Sequence, residues 1–304
     1  MNTLNLTDCK KIKDVSALGN VYDLNLNGCN ITDVSALGKV HTLHLSYCDN
    51  IKDISSLGKV HTLYLINCDN ITDVSALGNV KYLDLTGCKN VRDVSALGNV
   101  HTLYLSGCKK IKDVSALGNV YDLNLSGCIN IKDVSALGKV FTLNLSGCNI
   151  IDVSALGKVR MLYLSYCDNI TNINALGNVH TLDLSHCLIT DVSALRDVYD
   201  LDLSNCYNIT NVSALSKVHT LNLTKCKKIM DVSALGKVHT LNLSSINNIN
   251  VSELGNVHNL DLRWCKNIIG VSELGNIHTL KLTQCNNTDI EISALQNVPV
   301  LVLS

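Results

Sequence analysis

The chain has 304 residues, a net charge of −1 at neutral pH, 46% hydrophobic and only 17% charged residues. That balance argues against a general nucleic-acid or anionic-membrane binder, which needs a basic face, and no apolar run approaches the roughly 20 residues that span a bilayer. A single Pro, a single Phe and a single Trp are few for an enzyme of this length, and fourteen Cys suggest a disulfide scaffold until their positions are read.

A repeat runs from the first residues to the last. The first Leu of a Leu-x-Leu triplet recurs at Leu4, Leu24, Leu43, Leu63, Leu83, Leu103, Leu123, Leu143, Leu162, Leu182, Leu201, Leu221, Leu241, Leu260, Leu280 and Leu301. The steps are mostly 20 residues, some 19 and the last 21, so about 15 coils fill residues 1–304 as a single domain. Period-two alternation turns both leucines of a triplet to one side and their neighbours to the other. Each triplet is therefore a predicted strand, beginning with Leu4-Asn5-Leu6 and ending with Leu301-Val302-Leu303. Stacked in one sense at ~4.8 Å, these strands would make a parallel sheet on the order of 70 Å long.

Val21-x-x-Leu24-x-Leu26-x-x-Cys29-x-Ile31 resembles the leucine-rich repeat pattern, with Cys in its Asn/Cys column. The following Asp-Val-Ser-Ala-Leu-Gly resembles the Asp-Ile-Ser-x-Leu segment of internalin-type repeats, shortened by two residues or so. The near-identity of the coils also resembles repeat proteins of amoeba-infecting giant DNA viruses. The resemblance implies an α/β right-handed leucine-rich-repeat solenoid. It would have one parallel β-sheet on the concave side and short 3₁₀ turns on the convex side. The resemblance further implies a protein-protein interaction scaffold whose partner sits on the concave face.

Within each coil the elements follow in order. Val, two Leu, Cys, Ile, Val and Leu form the predicted core. The 19-residue units starting at Leu24, Leu143 and Leu182 lose a residue between Cys and Ile, and the unit at Leu241 is read as losing its Asp position. No length change falls within Leu-x-Leu, where a one-residue slip would turn buried leucines to solvent. Asp14, Asp33, Asp53 and Asp73 are predicted to cap short helical turns by accepting backbone N–H groups. Gly19 and Gly38 are predicted to end those turns in a left-handed conformation. The Gly-Gly-x-Gly-x-Asp pattern of calcium-binding solenoids is absent.

All fourteen Cys share one column, and Ile246 takes the remaining full-unit place. A ligand or obligatory disulfide would not be exchanged for Ile, so these are read as buried free thiols. Unpaired thiols imply a reducing, intracellular and cytoplasmic location, and Met1 to Asn5 show no basic-then-apolar leader. His41, His61, His101, His180, His219, His239, His258 and His278 share a second column with Tyr22, Tyr121, Phe141 and Tyr199, predicting a stacked aromatic rim. Aromatic substitution within the column argues against a metal site, and no cofactor is expected.

On the outward strand positions, departures from the Thr, Asn and Ser consensus cluster in three places. The first holds His44, Tyr47, Tyr64 and Tyr104, with Asp84 between the last two. The second holds Tyr163, Tyr166, Asp183, His186, Asp200 and Asp202, and the third Asp261, Arg263, Trp264 and Lys281. Aromatic residues flanked by charge are typical interface anchors, so these are the candidate partner-binding residues. No nucleophile, phosphate loop or zinc spacing converges on one point, and no enzymatic activity is expected. The apolar ends make a self-associating rod the structural alternative, and the Thr ladders suggest ice or surface binding as a third reading.

Overall fold

In the computed structural model, residues 2–285 and 292–303 are described. Every Leu-x-Leu site among them is a three-residue strand centred on its first Leu, with the flanking residues turned outward. The chain divides into two units, Met1–Val159 and Arg160–Ser304. The first carries β1 (Thr3–Asn5), β2 (Asp23–Asn25), β3 (Thr42–His44), β4 (Thr62–Tyr64), β5 (Tyr82–Asp84), β6 (Thr102–Tyr104), β7 (Asp122–Asn124) and β8 (Thr142–Asn144). The second carries β9 (Met161–Tyr163), β10 (Thr181–Asp183), β11 (Asp200–Asp202), β12 (Thr220–Asn222), β13 (Thr240–Asn242), β14 (Asn259–Asp261), β15 (Thr279–Lys281) and β16 (Val300–Val302).

Within each unit consecutive strands pair in parallel, Leu against Leu, as in Leu43↔Leu63 and Leu201↔Leu221. The ladder runs past the strand itself: Leu45 N–H donates to Tyr64 O at 2.9 Å and Tyr47 N–H to Ile66 O at 2.8 Å. Opposite the strands lie 3₁₀ turns of three to five residues, such as Ser35–Leu37 and Ser95–Asn99. No helix among the described residues is long and apolar enough to cross a membrane.

The interior is the predicted one. Val40, Leu43, Leu45, Cys48, Ile51, Ile54 and Leu57 are all buried in one coil, and the same seven columns repeat along both units. Each such aliphatic side chain contributes ~1.5–3 kcal/mol on burial, but only with a neighbouring coil on both faces. Twelve of the fourteen free Cys are buried, with Cys9 and Cys285 half-buried. Their packing has a hydrogen-bonding reason as well. Cys48 Sγ donates to Leu26 O at 3.2 Å, Cys88 Sγ to Leu65 O at 3.0 Å and Cys128 Sγ to Leu105 O at 3.1 Å, always the second triplet Leu of the preceding coil. Where Ile246 replaces Cys, Leu223 O still receives the Cys226 N–H at 3.0 Å, so the exchange strands no acceptor.

The Asp column caps as predicted. Asp33 Oδ1 accepts the N–H of Ser35 at 2.8 Å, and the same bond recurs from Asp14 to Asp231. These backbone and side-chain hydrogen bonds from serine hold the Asp14, Asp33 and Asp231 carboxyls below the usual range. The unit at Leu241 does not lose this position. Asn250 Oδ1 accepts the Ser252 N–H at 3.0 Å, so Asn250 occupies the cap and the residue before it is missing.

The glycine expectation is overturned. Gly19 and Gly38 have φ of −65° and −66°, ordinary right-handed values. Glycine is needed there because a Cβ would lie 2.2 Å from the carbonyl oxygens of Ala36 and Ser56 in the following coil. The left-handed column lies instead just before Cys, at Gly28, Gly87, Gly107, Gly127 and Gly147, with φ from 69° to 75°. It closes the turn in which Cys29 N–H donates to Leu26 O at 3.1 Å, and φ > 0 at the third turn residue favours glycine.

Candidate functional site

Two kinds of residue meet the solvent on the sheet faces, and the hydrogen bonds separate them. In the middle strand column, Asn25, Asn124, Asn144, Asn222 and Asn242 each accept, through Oδ1, the backbone N–H two residues on, at 2.9–3.1 Å. Asp84, Asp183, Asp202 and Asp261 make the same bond to Thr86, Ser185, Ser204 and Arg263 at 2.7–3.1 Å. These local bonds close the strand-to-turn transition. They account for Asn or Asp in this column, and for its Asn-Leu-Ser sequences, without a ligand.

His44, Tyr64, Tyr104, Tyr163 and Lys281 stand in the same column and lack the amide or carboxylate oxygen that makes this bond. The left-handed column is more demanding. Tyr47, Tyr166, His186 and Trp264 occupy it at φ of 58° to 62°, where glycine is the unstrained residue. Bulky side chains at positive φ are outliers that call for an explanation. Tyr47, Tyr166 and Trp264 are 59%, 58% and 47% exposed, so core packing does not supply it.

In the first unit the structure brings together more than the sequence suggested. His44 and Tyr64 stack at 4.5 Å and 4°. Tyr64 meets Tyr82 at 5.1 Å, and Tyr82 meets Tyr104 edge-on at 5.6 Å. The four rings are bounded by carboxylates: His44 Nε2 lies 3.8 Å from Asp23 Oδ1, and Tyr104 Oη donates to Asp122 Oδ2 at 3.2 Å. Asp84 sits beneath them, 7% exposed and in register between Tyr64 and Tyr104. Burial, followed by the neighbouring Tyr64 and Asp84, pushes the Tyr82 hydroxyl well above its ordinary value, and burial lowers His44. Tyr82, Asp23 and Asp122 join the cluster although the sequence pattern did not single them out. The available signal is that each replaces Thr of the first outward column.

The second cluster is more dispersed. Tyr166 and His186 stack at 4.1 Å and 14° on the left-handed column. Tyr163 pairs in register with Asp183, and Asp183 with Asp202. Asp202 Oδ2 accepts the Asn222 amide at 2.9 Å, and Asp200 lies two residues before Asp202 on the same face.

The third cluster is largely satisfied internally. Arg263 clamps Asp261, with its Nε 2.9 Å from Oδ1 and a terminal nitrogen 2.7 Å from Oδ2. The Ser244 hydroxyl donates to Asp261 Oδ1 at 2.9 Å. Although burial opposes it, these bonds hold the Asp261 carboxyl below its usual range. The Arg263 guanidinium lies 5.2 Å from the Trp264 ring, whose indole N–H donates to Gln284. Lys281 faces Asp261 from β15.

The aromatic rim forms as predicted, in three runs. Tyr22, His41 and His61 stack at 4.5 Å, and His101, Tyr121 and Phe141 at 4.7–4.9 Å. In the second unit His180, Tyr199, His219, His239, His258 and His278 form a six-ring stack at 4.4–4.9 Å. Nδ1 of His219, His239 and His278 shares a hydrogen bond with the next Thr hydroxyl at 3.2–3.3 Å. No group of three metal-ligating side chains occurs among the described residues.

No protein-family model matches the chain, and no curated protein is similar in sequence. Solved structures do match. An internalin from Listeria monocytogenes, InlF, superimposes with a TM-score of 0.60 at 24% identity, over 100% of this chain and 87% of that one. The functional domain of Listeria monocytogenes InlJ, which includes a cysteine ladder, does so with a TM-score of 0.60 at 22% identity, over 98% of this chain and 66% of that one. A chain of the mouse RP105/MD-1 complex matches with a TM-score of 0.65 at 17% identity, over 100% and 67%. The fold is thus of the leucine-rich-repeat, internalin-like type.

Proposed function

We propose that the chain is a non-enzymatic scaffold that binds a protein partner on the sheet faces of its repeats. The observation that carries this reading is that Tyr47, Tyr166, His186 and Trp264 hold four of the left-handed positions, a column that five coils give to glycine and six others to Asp8, Asn67, Asn205, Lys225, Ser245 and Gln284. Tyr47, Tyr166 and Trp264 thereby present exposed aromatic side chains beside the sheet from a backbone conformation that bulky residues rarely adopt. Aromatic anchors with polar surroundings dominate protein interfaces. The mouse structure of this fold type, RP105/MD-1, is itself a complex.

The test returns each cluster to the consensus: Tyr47→Gly with Tyr64→Asn and Tyr104→Asn, Tyr163→Asn with Tyr166→Gly and His186→Gly, and Trp264→Gly. A partner captured by the intact chain should be lost from at least one of these sets while the far-ultraviolet spectrum is unchanged. Retention by all three would overturn the assignment.

A further inference from the structure

The aromatic rim changes character along the second unit. Its column accepts several kinds of ring, since Tyr22, Tyr121, Phe141 and Tyr199 stack as closely as the histidines do. Stacking there does not require imidazole, and what histidine adds is a proton-binding site that titrates near neutrality. From β12 to β15 that site is repeated without interruption. His219, His239, His258 and His278 lie face to face, with centroids 4.6, 4.7 and 4.6 Å apart and planes within 27° of one another.

The surroundings do little to neutralise a charge on these rings. Among the described residues the one histidine–carboxylate ion-pair contact is His44 with Asp23, in the first unit. The turns leading into the run bring Lys217 and Lys237, each two residues before its histidine, and then the uncharged Asn256 and Asn276. On the strands, Asp200 stands in register with Thr220, and Asp261 is clamped by Arg263 with Lys281 facing it. Glu253 and Glu273 lie on the 3₁₀ turns opposite the strands. Loss of water, followed by the charges of His278 and His239, holds the His258 titration below the usual 6.5. Its contribution to stability is therefore complete above pH 6.5 and lost as pH falls through the lowered value.

Like charges on neighbouring rings disfavour each other, whereas a cation against a neutral aromatic ring is attracted to it. Alternate rings therefore charge first. His239 and His278 each have a Thr hydroxyl 3.2 Å from Nδ1, able to accept the second N–H of an imidazolium. His258 is followed instead by Asn259, whose amide donates to Thr240 Oγ1 at 3.2 Å. Charging His239 and His278 leaves His258 between two cations. We propose that the stack of His219, His239, His258 and His278 is a proton-operated edge, closed while the rings are neutral and opened in acid at His258, where it loosens the sheet border from β13 to β15. The bonds at stake are those of the His258 and Asn259 N–H groups to His239 O, at 3.1 and 2.9 Å, and of the His278 and Thr279 N–H groups to His258 O, at 3.1 and 3.0 Å.

The experiment follows the imidazole resonances of the full chain by NMR from about pH 8 to about pH 5, with amide hydrogen exchange on the same samples. His258 should titrate last of the four, below 6.5. Raising the salt from ~0.01 to ~1 M shortens the Debye length from ~30 to ~3 Å and should move the His258 titration upward. Protection of the Asn259 and Thr279 amides, corrected for the intrinsic pH dependence of exchange, should fall at least about tenfold in acid relative to Thr62 and Thr102 of the first unit.

His239→Tyr with His278→Tyr keeps a ring on each side of His258, as Tyr199 does beside His219, and removes both neighbouring charges. His258 should then titrate nearer 6.5, and the protection of Asn259 should no longer depend on pH. His278→Tyr alone should give a smaller shift in the same direction, which serves where the double variant folds poorly. His41→Tyr, in the first unit, should leave His258 unchanged. A His258 that titrates before its neighbours, a titration unmoved by the tyrosine substitutions, or Asn259 protection that stays level in acid would overturn the proposal.

Discussion

Replacing Tyr47 by glycine should stabilise the protein. Tyr47 has φ 60° and is 59% exposed, and its backbone N–H bond to Ile66 O at 2.8 Å does not depend on the side chain. Holding an L-residue in the left-handed region costs ~1–2 kcal/mol, while the greater unfolded-state freedom of glycine offsets ~0.5–1 kcal/mol. The difference leaves Tyr47→Gly more stable by about 0.5–1 kcal/mol. The converse substitution is Gly107→Tyr, at φ 72° and with no atom within 4 Å of the place its Cβ would take. It should lose a similar amount without a clash. Gly118→Ala is the contrasting control, because its Cβ would come 2.4 Å from Ala136 O. It should destabilise by about 1–3 kcal/mol through overpacking. Urea midpoints at constant slope measure all three, and a changed slope would mark a loss of cooperativity between repeats. A destabilised Tyr47→Gly or a neutral Gly107→Tyr, at unchanged slope, would refute the strain argument.

The Cys ladder should resist thiol reagents in the native state: burial pushes Cys48 up to about 11 and Cys68, Cys88 and Cys128 up to about 12, so Cys9 and Cys285 should be labelled first by iodoacetamide at pH 8. A folded-state value above the unfolded one of 9.0 means that stability is fully present below pH 9 and lost as pH rises toward 12, which alkaline denaturation followed by circular dichroism will show. The Asp column has the opposite sign. Its carboxyls are held below their ordinary value of 3.8 by serine hydrogen bonds, so their contribution is present above about pH 4 and lost as pH falls through the lowered values. Changing Asp73, Asp93 and Asp113 to Asn, the residue already capping at Asn172, Asn211 and Asn250, should retain the turns and reduce acid sensitivity, as read by urea midpoints at pH 3 and pH 7. In the six-ring rim, His239→Tyr should preserve stacking while His239→Ala interrupts it, lowering the urea midpoint of the alanine variant only.

Strands, core columns, Asp caps and the aromatic rim are legible in the sequence because each depends on a short period repeated many times. A single Leu-x-Leu is ambiguous, but sixteen at a spacing of 19 to 21 residues admit one register. What stays hidden depends on which atoms approach across coils. Gly38 and Gly107 look alike in sequence. One is glycine because Ser56 O lies where its Cβ would be, the other because its backbone is left-handed. Only backbone geometry distinguishes these reasons. Asn250 is ambiguous in sequence because a one-residue deletion can be aligned in two ways, and the Ser252 N–H chooses between them. Tyr82 is inconspicuous because its column reads as Thr filler, although its ring lies between Tyr64 and Tyr104.

The same hydrogen bonds rank the candidate clusters. Asp261 is already paired with Arg263 and accepts the Ser244 hydroxyl. Asp202 is engaged by Asn222, and Asp183 is half-buried with solvent available to its charge. At all of these positions, closing the turn requires only a side-chain oxygen that accepts the N–H two residues on, which asparagine supplies in five other coils. Asp84 makes the same bond, to the Thr86 N–H. Among the face carboxylates it has the least water to solvate it, and tyrosines occupy the neighbouring places.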